Sequence, residues 1–272
     1  MIAIIGNHFY FYLNNYPLRP FRYISIITLI LSFALIIAHI EWQLSLWWFV
    51  ILLVLYVHSL VLGSIYINWN FYLVSRNKGT HKKFVALSFD DGPGKETEAI
   101  LDILKDYGIN AAFFNIGKNV TADERLVKRM DEEGHLIGNH SYNHGVNFDW
   151  KSARNMKQEL RETNNAIKNI IGKTPKLFRP PYGVTNPNLA KAVKQLGMIS
   201  VAWSIRSFDT TAKDPKQLLA RILNKIKGGD IILLHDTIAI TREILPQLIT
   251  ETTKKGFTFV RIDQLLDIQP YE

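Results

Sequence analysis

Apolar positions fall along the chain in two regimes that change near residue 68. Up to that point they form runs. Ile24 to Ile40 (ISIITLILSFALIIAHI) contains no Lys, Arg, Asp or Glu, and after Glu41 a second run, Leu44 to Ile67, again lacks all four. Each is long enough, or nearly so, to cross ~30 Å of hydrocarbon as a helix. Trp42, Trp47, Trp48 and Tyr66 suit the interfacial zones, where amphipathic rings settle. A first run starting near residue 24, no clear small-residue cleavage site and a second run close behind argue against a cleaved signal peptide. The pattern predicts a transmembrane helical hairpin over 24–67. A polar and aromatic segment, 1–23, precedes it, and a basic juxtamembrane linker, 68–83, follows.

From residue 84 onward, strand-like and helix-like patterns alternate. The strand candidates are Phe84–Phe89, Ala111–Gly117, Leu136–Ser141, Leu177–Tyr182, Met198–Ile205, Asp230–His235 and Phe257–Ile262. Between them lie helical patterns at Glu96–Tyr107, Asp123–Glu133, Ser152–Ile171, Pro187–Leu196, Pro215–Lys227 and Thr241–Lys255. Many close on glycine, as a helix C-terminus should: Gly108, Gly134, Gly172, Gly197, Gly228 and Gly256. Repeated β/α units predict an α/β domain over 84–267, a parallel sheet covered by helices and either open or closed into a barrel.

Charge sharpens the division. The first seventy residues are nearly free of it, the remainder is dense in it, and the net value of +8 suits anionic surroundings such as lipid headgroups or an acidic polymer. No basic stripe interleaved with aromatics is present, so nucleic acid is not an expected partner. With no cysteine, thiol catalysis, iron–sulfur clusters, disulfides and Cys-ligated zinc are excluded, and the compartment stays open.

The chemistry-bearing residues gather where the predicted strands end. Asp90-Asp91-Gly92 closes the first strand. Two adjacent carboxylates at a strand end point in opposite directions, so one can hold a cation while the other handles a proton; a plain Asp-Gly turn is the alternative. About fifty residues on comes His140-Ser141-Tyr142-Asn143-His144. One carboxylate and two histidines suffice as a facial set for a divalent metal with open positions for water and substrate. Arg179 to Gly183 close the fourth strand, Trp203 to Asp209 the fifth, and His235 the sixth. Parallel α/β architectures collect their chemistry at this end of the sheet.

These motifs resemble the polysaccharide deacetylases, carbohydrate esterase family 4 with its NodB homology domain, over about residues 82 to 267. The matching stretches are Ser88-Phe89-Asp90-Asp91-Gly92, His140-Ser141-Tyr142-Asn143-His144, Arg179-Pro180-Pro181-Tyr182-Gly183, the region around Asp209, and Leu233-Leu234-His235. The resemblance implies a distorted (β/α)7 barrel behind the transmembrane hairpin. It implies Asp91, His140 and His144 as ligands of a divalent metal, Zn²⁺ or another such as Co²⁺. Asp90 is then the general base, Arg179 its partner, and backbone N–H near Tyr182 an oxyanion donor. His235 is the general acid, oriented by Asp209, and Leu233 and Pro181 line the acetyl pocket.

The fourth motif departs from the family. Relatives carry Asp-x-x-Asp-Trp; here the stretch reads Arg206-Ser207-Phe208-Asp209-Thr210. Asp209 survives, Arg206 replaces the first Asp and Thr210 the Trp, so an aromatic wall is missing and the added Arg could meet an anionic group on a substrate.

The reading is a membrane-anchored, metal-dependent N-deacetylase of an N-acetylated sugar, either an envelope polymer such as peptidoglycan or a lipid-linked amino sugar at the bilayer. Hydrolysis of a non-sugar amide and an inactive membrane-anchored glycan-binding protein are the alternatives. The flanking Arg19, Arg22, Arg76, Lys78, Lys82 and Lys83 favour a cytoplasmic domain by the positive-inside rule. The family's envelope substrates favour the external face, which is the expectation taken forward.

Overall fold

The structure, a computed structural model, describes residues 19–272. Residues 1–18 of the expected N-terminal segment lie outside the described residues. The chain divides into two compact units, one up to Val74 and one from Ser75 to Glu272.

In the first unit, α1 (Pro20–Trp42) begins with proline at a position where its missing N–H costs nothing, and ends at Gln43 in the left-handed conformation. The helix α2 (Trp47–Ile65) runs back beside it, and Ser25 Oγ meets Tyr56 OH at 3.0 Å. Hydroxyls within α1 are satisfied locally, Ser25 Oγ donating to Phe21 O and Ser32 Oγ to Thr28 O. Both helices have the length and apolar composition to cross a membrane, and α1 has no buried residue at all. This pair leaves far more apolar side chain uncovered than a water-soluble surface carries.

The second unit is a parallel sheet wrapped by helices. Its strands are β1 (Ser75–Arg76), β2 (Phe84–Asp90), β3 (Ala112–Asn115), β4 (Leu136–Asn139), β5 (Leu177–Phe178), β6 (Ile199–Val201), β7 (Ile205–Arg206), β8 (Ile231–His235) and β9 (Thr258–Phe259). The order is β1-β6-β5-β4-β3-β2-β8-β7, with β9 added beside the start of β2. One segment links the two ends of the sheet: β6 pairs with β5 and the edge strand β1, and, three residues later, β7 pairs with β8 at the other edge. The sheet therefore curls back on itself as a distorted, incompletely closed barrel. The break falls at Ala202-Trp203-Ser204, where Ala202 N–H donates to Arg76 O and Ser204 N–H to Ile231 O.

Alternation along the strands builds two cores. Val85, Leu87 and Phe89 of β2, with Phe113, Ile205, Ile232 and Leu234, face outward to the helices. Ala86, Ala112, Phe114, Leu136, Leu177, Val201 and Ile231 fill the barrel interior, and Ile262 and Leu265 close its floor. Climbing the inner face of β2, Ala86 gives way to Ser88 and then Asp90, so polarity accumulates at the carboxyl mouth.

The helices are α3 (Thr97–Asp106), α4 (Gly117–Ala122), α5 (Glu124–Glu132), α6 (Ala153–Ile171), α7 (Pro187–Gln195), α8 (Pro215–Leu223), α9 (Ala239–Lys254) and α10 (Ile262–Leu266). Two expected first residues, Asp123 and Ser152, are caps instead; like Asn186 and Asp214, which precede the expected starts at Pro187 and Pro215, each accepts a hydrogen bond from a backbone N–H of the helix that follows.

Four expectations need correction. The linker 68–83 is not a bare tether: Ser75 and Arg76 pair with Ser200 and Val201, and Lys78 Nζ lies 2.8 Å from Asp230 Oδ1, so the unit starts at Ser75 rather than 84. It also continues past 267, where Tyr271 bridges to Pro175 and its hydroxyl accepts from Ile137 N–H at 2.9 Å. The strand expected over Leu177–Tyr182 stops at Phe178, because Pro180 and Pro181 have no N–H for a ladder. The strand expected over Met198–Ile205 is the broken pair β6 and β7.

Candidate active site

Asp90 is the last residue of β2 and Asp91 the first beyond it, turned into the left-handed region at φ 73°. That turn separates the carboxylates. Asp90 points down the inner face, 3% exposed, while Asp91 Oδ1 lies 3.5 Å from Nε2 of both His140 and His144. Ser141 and His144 also take positive φ, 64° and 50°, which folds the loop after β4 so that both imidazoles reach one point. Their rings are 4.8 Å apart.

The donor set fits a divalent ion. Asp91 Oδ1 is buried and accepts no hydrogen bond, an arrangement a carboxylate keeps when a cation compensates it. His140 Nδ1 sits 2.8 Å from Arg179 O; a carbonyl only accepts, so Nδ1 carries the proton and the Nε2 lone pair faces Asp91. Burial holds His140 down at about 3, so the ring is neutral, as a ligand must be.

Arg179 is fully buried and has its guanidinium fixed on every side. It donates to Asp90 Oδ1 at 2.7 Å, Ser88 Oγ at 2.9 Å, Val201 O at 3.2 Å and Ala202 O at 3.1 Å, with the Phe114 ring 4.1 Å away. Burial pushes the Asp90 carboxyl above the usual range, and the attraction of Arg179 and His235 offsets only part of that. Asp90 Oδ2, the oxygen Arg179 leaves free, is 3.8 Å from His140 Nε2.

His235 closes the mouth from β8, in register with Asp90. Its Nδ1 lies 2.8 Å from Asp209 Oδ1, and its backbone N–H donates to Asp209 Oδ2 at 2.7 Å. Asp209 also accepts from Thr241 Oγ1 and Thr210 N–H. Burial opposes a charged imidazole here, yet the Asp209 hydrogen bond and charge, helped by Asp90 and Asp91, hold His235 up at about 9. Its Nε2 faces Asp91 Oδ2 at 3.9 Å.

Residues 77–201 match the family model for polysaccharide deacetylase. The chain is 35% identical over 192 residues to the peptidoglycan-N-acetylmuramic acid deacetylase PdaA of Bacillus subtilis, covering 69% of this chain and 73% of that protein. It is similar also to a peptidoglycan-N-acetylglucosamine deacetylase of Bacillus cereus, 37% identical over 195 residues, with 68% and 71% covered. The chain belongs to the polysaccharide deacetylase family. Some relatives are longer; it spans 40% of the Listeria monocytogenes PgdA. Among solved structures, a peptidoglycan N-acetylglucosamine deacetylase superposes with a TM-score of 0.70 at 29% identity, over 73% of this chain and 95% of that one. A CE4 family pseudoenzyme from Bacillus anthracis gives 0.66 at 30% identity, over 70% and 68%. Similarity alone thus does not separate active from inactive members.

In this polysaccharide deacetylase Asp90, Asp91, His140, His144, Arg179, Asp209 and His235 lie around one mouth. Tyr182, at φ 56°, donates its hydroxyl to His144 O at 3.3 Å and sets its ring 4.7 Å from the imidazole. Leu233 and Pro181 are buried, the first on β8 and the second in the turn after β5. Arg206 is exposed at the end of β7.

Ser88, named in the sequence only as part of the first motif, shares the inner face with Asp90, two positions back, a period-2 signal that was legible. Three residues escaped the sequence reading. Thr241, on α9, reaches Asp209 across thirty-two positions with no local signal. Trp150 is 90% exposed just after the His144 loop, and nothing in its neighbourhood marks it. Asp236 is fully buried, accepts from Thr97 Oγ1 at 2.6 Å, and burial raises it to about 7. It packs behind Gly92, where a Cβ would lie 2.2 Å from Asp236 Oδ2.

Proposed function

We propose that the chain is a divalent-metal-dependent N-deacetylase that removes acetyl groups from N-acetylated sugars of an envelope glycan of the peptidoglycan class. Asp91, His140 and His144 would hold the ion, and an oxygen and nitrogen set without sulfur suits Zn²⁺, Co²⁺ or a similar metal. Bound there, it supplies Lewis acidity to an acetamide carbonyl and lowers the pKa of a water.

The chain's own groups do the proton work. Asp90 Oδ2 takes a proton from the attacking water while Arg179 fixes Oδ1. His235, charged at neutral pH, gives its Nε2 proton to the departing nitrogen, since an unprotonated amine anion is a very poor leaving group. Asp209 holds the ring in place and restores its charge preference. Backbone N–H near Tyr182 faces the tetrahedral oxyanion, a contact worth about 3–4 kcal/mol per donor in comparable sites. Leu233 and Pro181 enclose the acetyl methyl. The two apolar helices anchor the enzyme in the membrane as two spans, with the catalytic unit on the external face.

The observation that carries this reading is the placement, across one mouth, of a carboxylate clamped by Arg179 and an imidazolium held by Asp209, with the orphaned Asp91 oxygen beside the two histidines. The test is acetate release, followed by mass spectrometry, from peptidoglycan-derived and chitin-type oligosaccharides by the full chain in detergent. Release that requires a divalent ion supports the assignment. Glycan binding with no release, metal present, would place the chain with the pseudoenzymes; release by metal-stripped protein would overturn the metal assignment.

A further inference from the structure

Arg206 stands apart from the other charges at the mouth. Strand register fixes where it faces: Arg206 pairs with Leu233, which pairs with Ser88, and the next tier is His235 with Asp90. Ile232 and Leu234 face the outer core and Ile231 the inner, so Leu233 points inward and Arg206 points with it. It occupies the same face as the base and acid, one tier below them and beside the break in the barrel.

Every carboxylate of the mouth is already engaged. Arg179 takes Asp90, His235 takes Asp209, and Asp91 belongs to the histidine pair. Among the described residues, the Arg206 side chain has no ion pair and no hydrogen bond. Its guanidinium instead rests on aromatic faces, 5.7 Å from the Trp203 ring and 5.1 Å from the Phe208 ring. Trp203 is itself wedged against the Tyr182 turn, its ring edge 2.5 Å from where a Cβ on Gly183 would stand. The rings hold the guanidinium in place without neutralising it, leaving its planar fork of donors open to a ligand.

We propose, building on the deacetylase reading, that Arg206 selects the substrate: it receives a carboxylate carried by the sugar that is deacetylated, so that the preferred substrate is an acidic N-acetylated amino sugar of the N-acetylmuramic type rather than neutral N-acetylglucosamine. A guanidinium binds a carboxylate through two parallel hydrogen bonds, a geometry a neutral hydroxyl does not reproduce. The aromatic platform holds that fork before substrate arrives, which lowers the ordering cost of binding.

The test compares kcat/KM for one muramyl glycan with its carboxylates free and with them converted to methylamides, using the full chain in detergent with metal. The wild type should favour the free acid by roughly tenfold, the scale of a charge-assisted hydrogen bond. In Arg206→Gln that ratio should fall to about one, and Arg206→Lys should retain part of it. A wild-type ratio near one, or a ratio that persists in Arg206→Gln, overturns the assignment. Calorimetric binding of the two glycans is measured alongside. If no acetate is released but the acid form binds more tightly in an Arg206-dependent way, Arg206 keeps its role and the deacetylase reading falls. Equal binding of both forms by wild type overturns the Arg206 role whatever the turnover.

Discussion

Asp209 sets the charge of His235 by four hydrogen bonds: from the ring, from the His235 N–H, from Thr241 and from Thr210. Replacing it by Asn keeps the shape and removes the charge, so His235 should fall from about 9 towards its ordinary value of 6.5. The alkaline limb of the pH–rate profile should move to lower pH by one unit or more; a limb that stays in place removes His235 as the acid. Stability should follow. His235 is raised in the folded state, so the pair's contribution is complete below pH 6.5 and lost as pH rises through about 9. Thermal midpoints of the wild type should decline across that window, and those of Asp209→Asn should decline less. Asp90→Asn, isosteric but unable to accept the proton, should still bind metal and lose on the order of 10²- to 10⁴-fold in kcat. A kcat within a few-fold of wild type would remove Asp90 as the base.

At the scale of elements, residue pattern located most strands but not all their ends, and the carboxyl-end rule grouped Asp90, His140, Arg179 and His235 at one end of the sheet from the sequence alone. What pattern missed was set by contacts distant in sequence. Ser75 and Arg76 form a strand only because Ser200 and Val201 offer a free edge. The 198–205 strand reads as continuous, yet it breaks at Ala202-Trp203-Ser204 where the barrel margins meet. Asp236 sits beside a residue that was read, but its burial behind Gly92 is visible only once α3 and the turn after β8 are packed together. That packing makes a prediction. Gly92→Ala puts a methyl against Asp236 Oδ2, 2.2 Å away before relaxation, so the turn carrying Asp91 must shift. Metal content and turnover should both drop, and Asp236→Ala added to Gly92→Ala should restore part of each by opening space. A fully active Gly92→Ala enzyme would show that the turn tolerates displacement.

For the whole molecule, the proposed two-span anchoring would put the two flanks of the helix pair, and with them the catalytic unit, on one side of the membrane, and the side decides which substrate is within reach. Six Lys and Arg residues flank the spans against a lone Glu41 in the connection, which favours the cytoplasm. The structure weakens that count. Arg76 lies in β1 and Lys78 is tied to Asp230, so both belong to a folded unit, and large domains translocate largely regardless of their charge. Polymerised peptidoglycan, the substrate named for the bacterial relatives above, is outside the membrane, and so would be a glycan whose muramyl carboxylate meets Arg206. An external catalytic unit is therefore expected. Protease added to intact spheroplasts should remove a tag fused after Glu272. A tag that survives until the membrane is permeabilised would put the unit in the cytoplasm, where a lipid-linked amino sugar is the N-acetylated substrate the enzyme could meet.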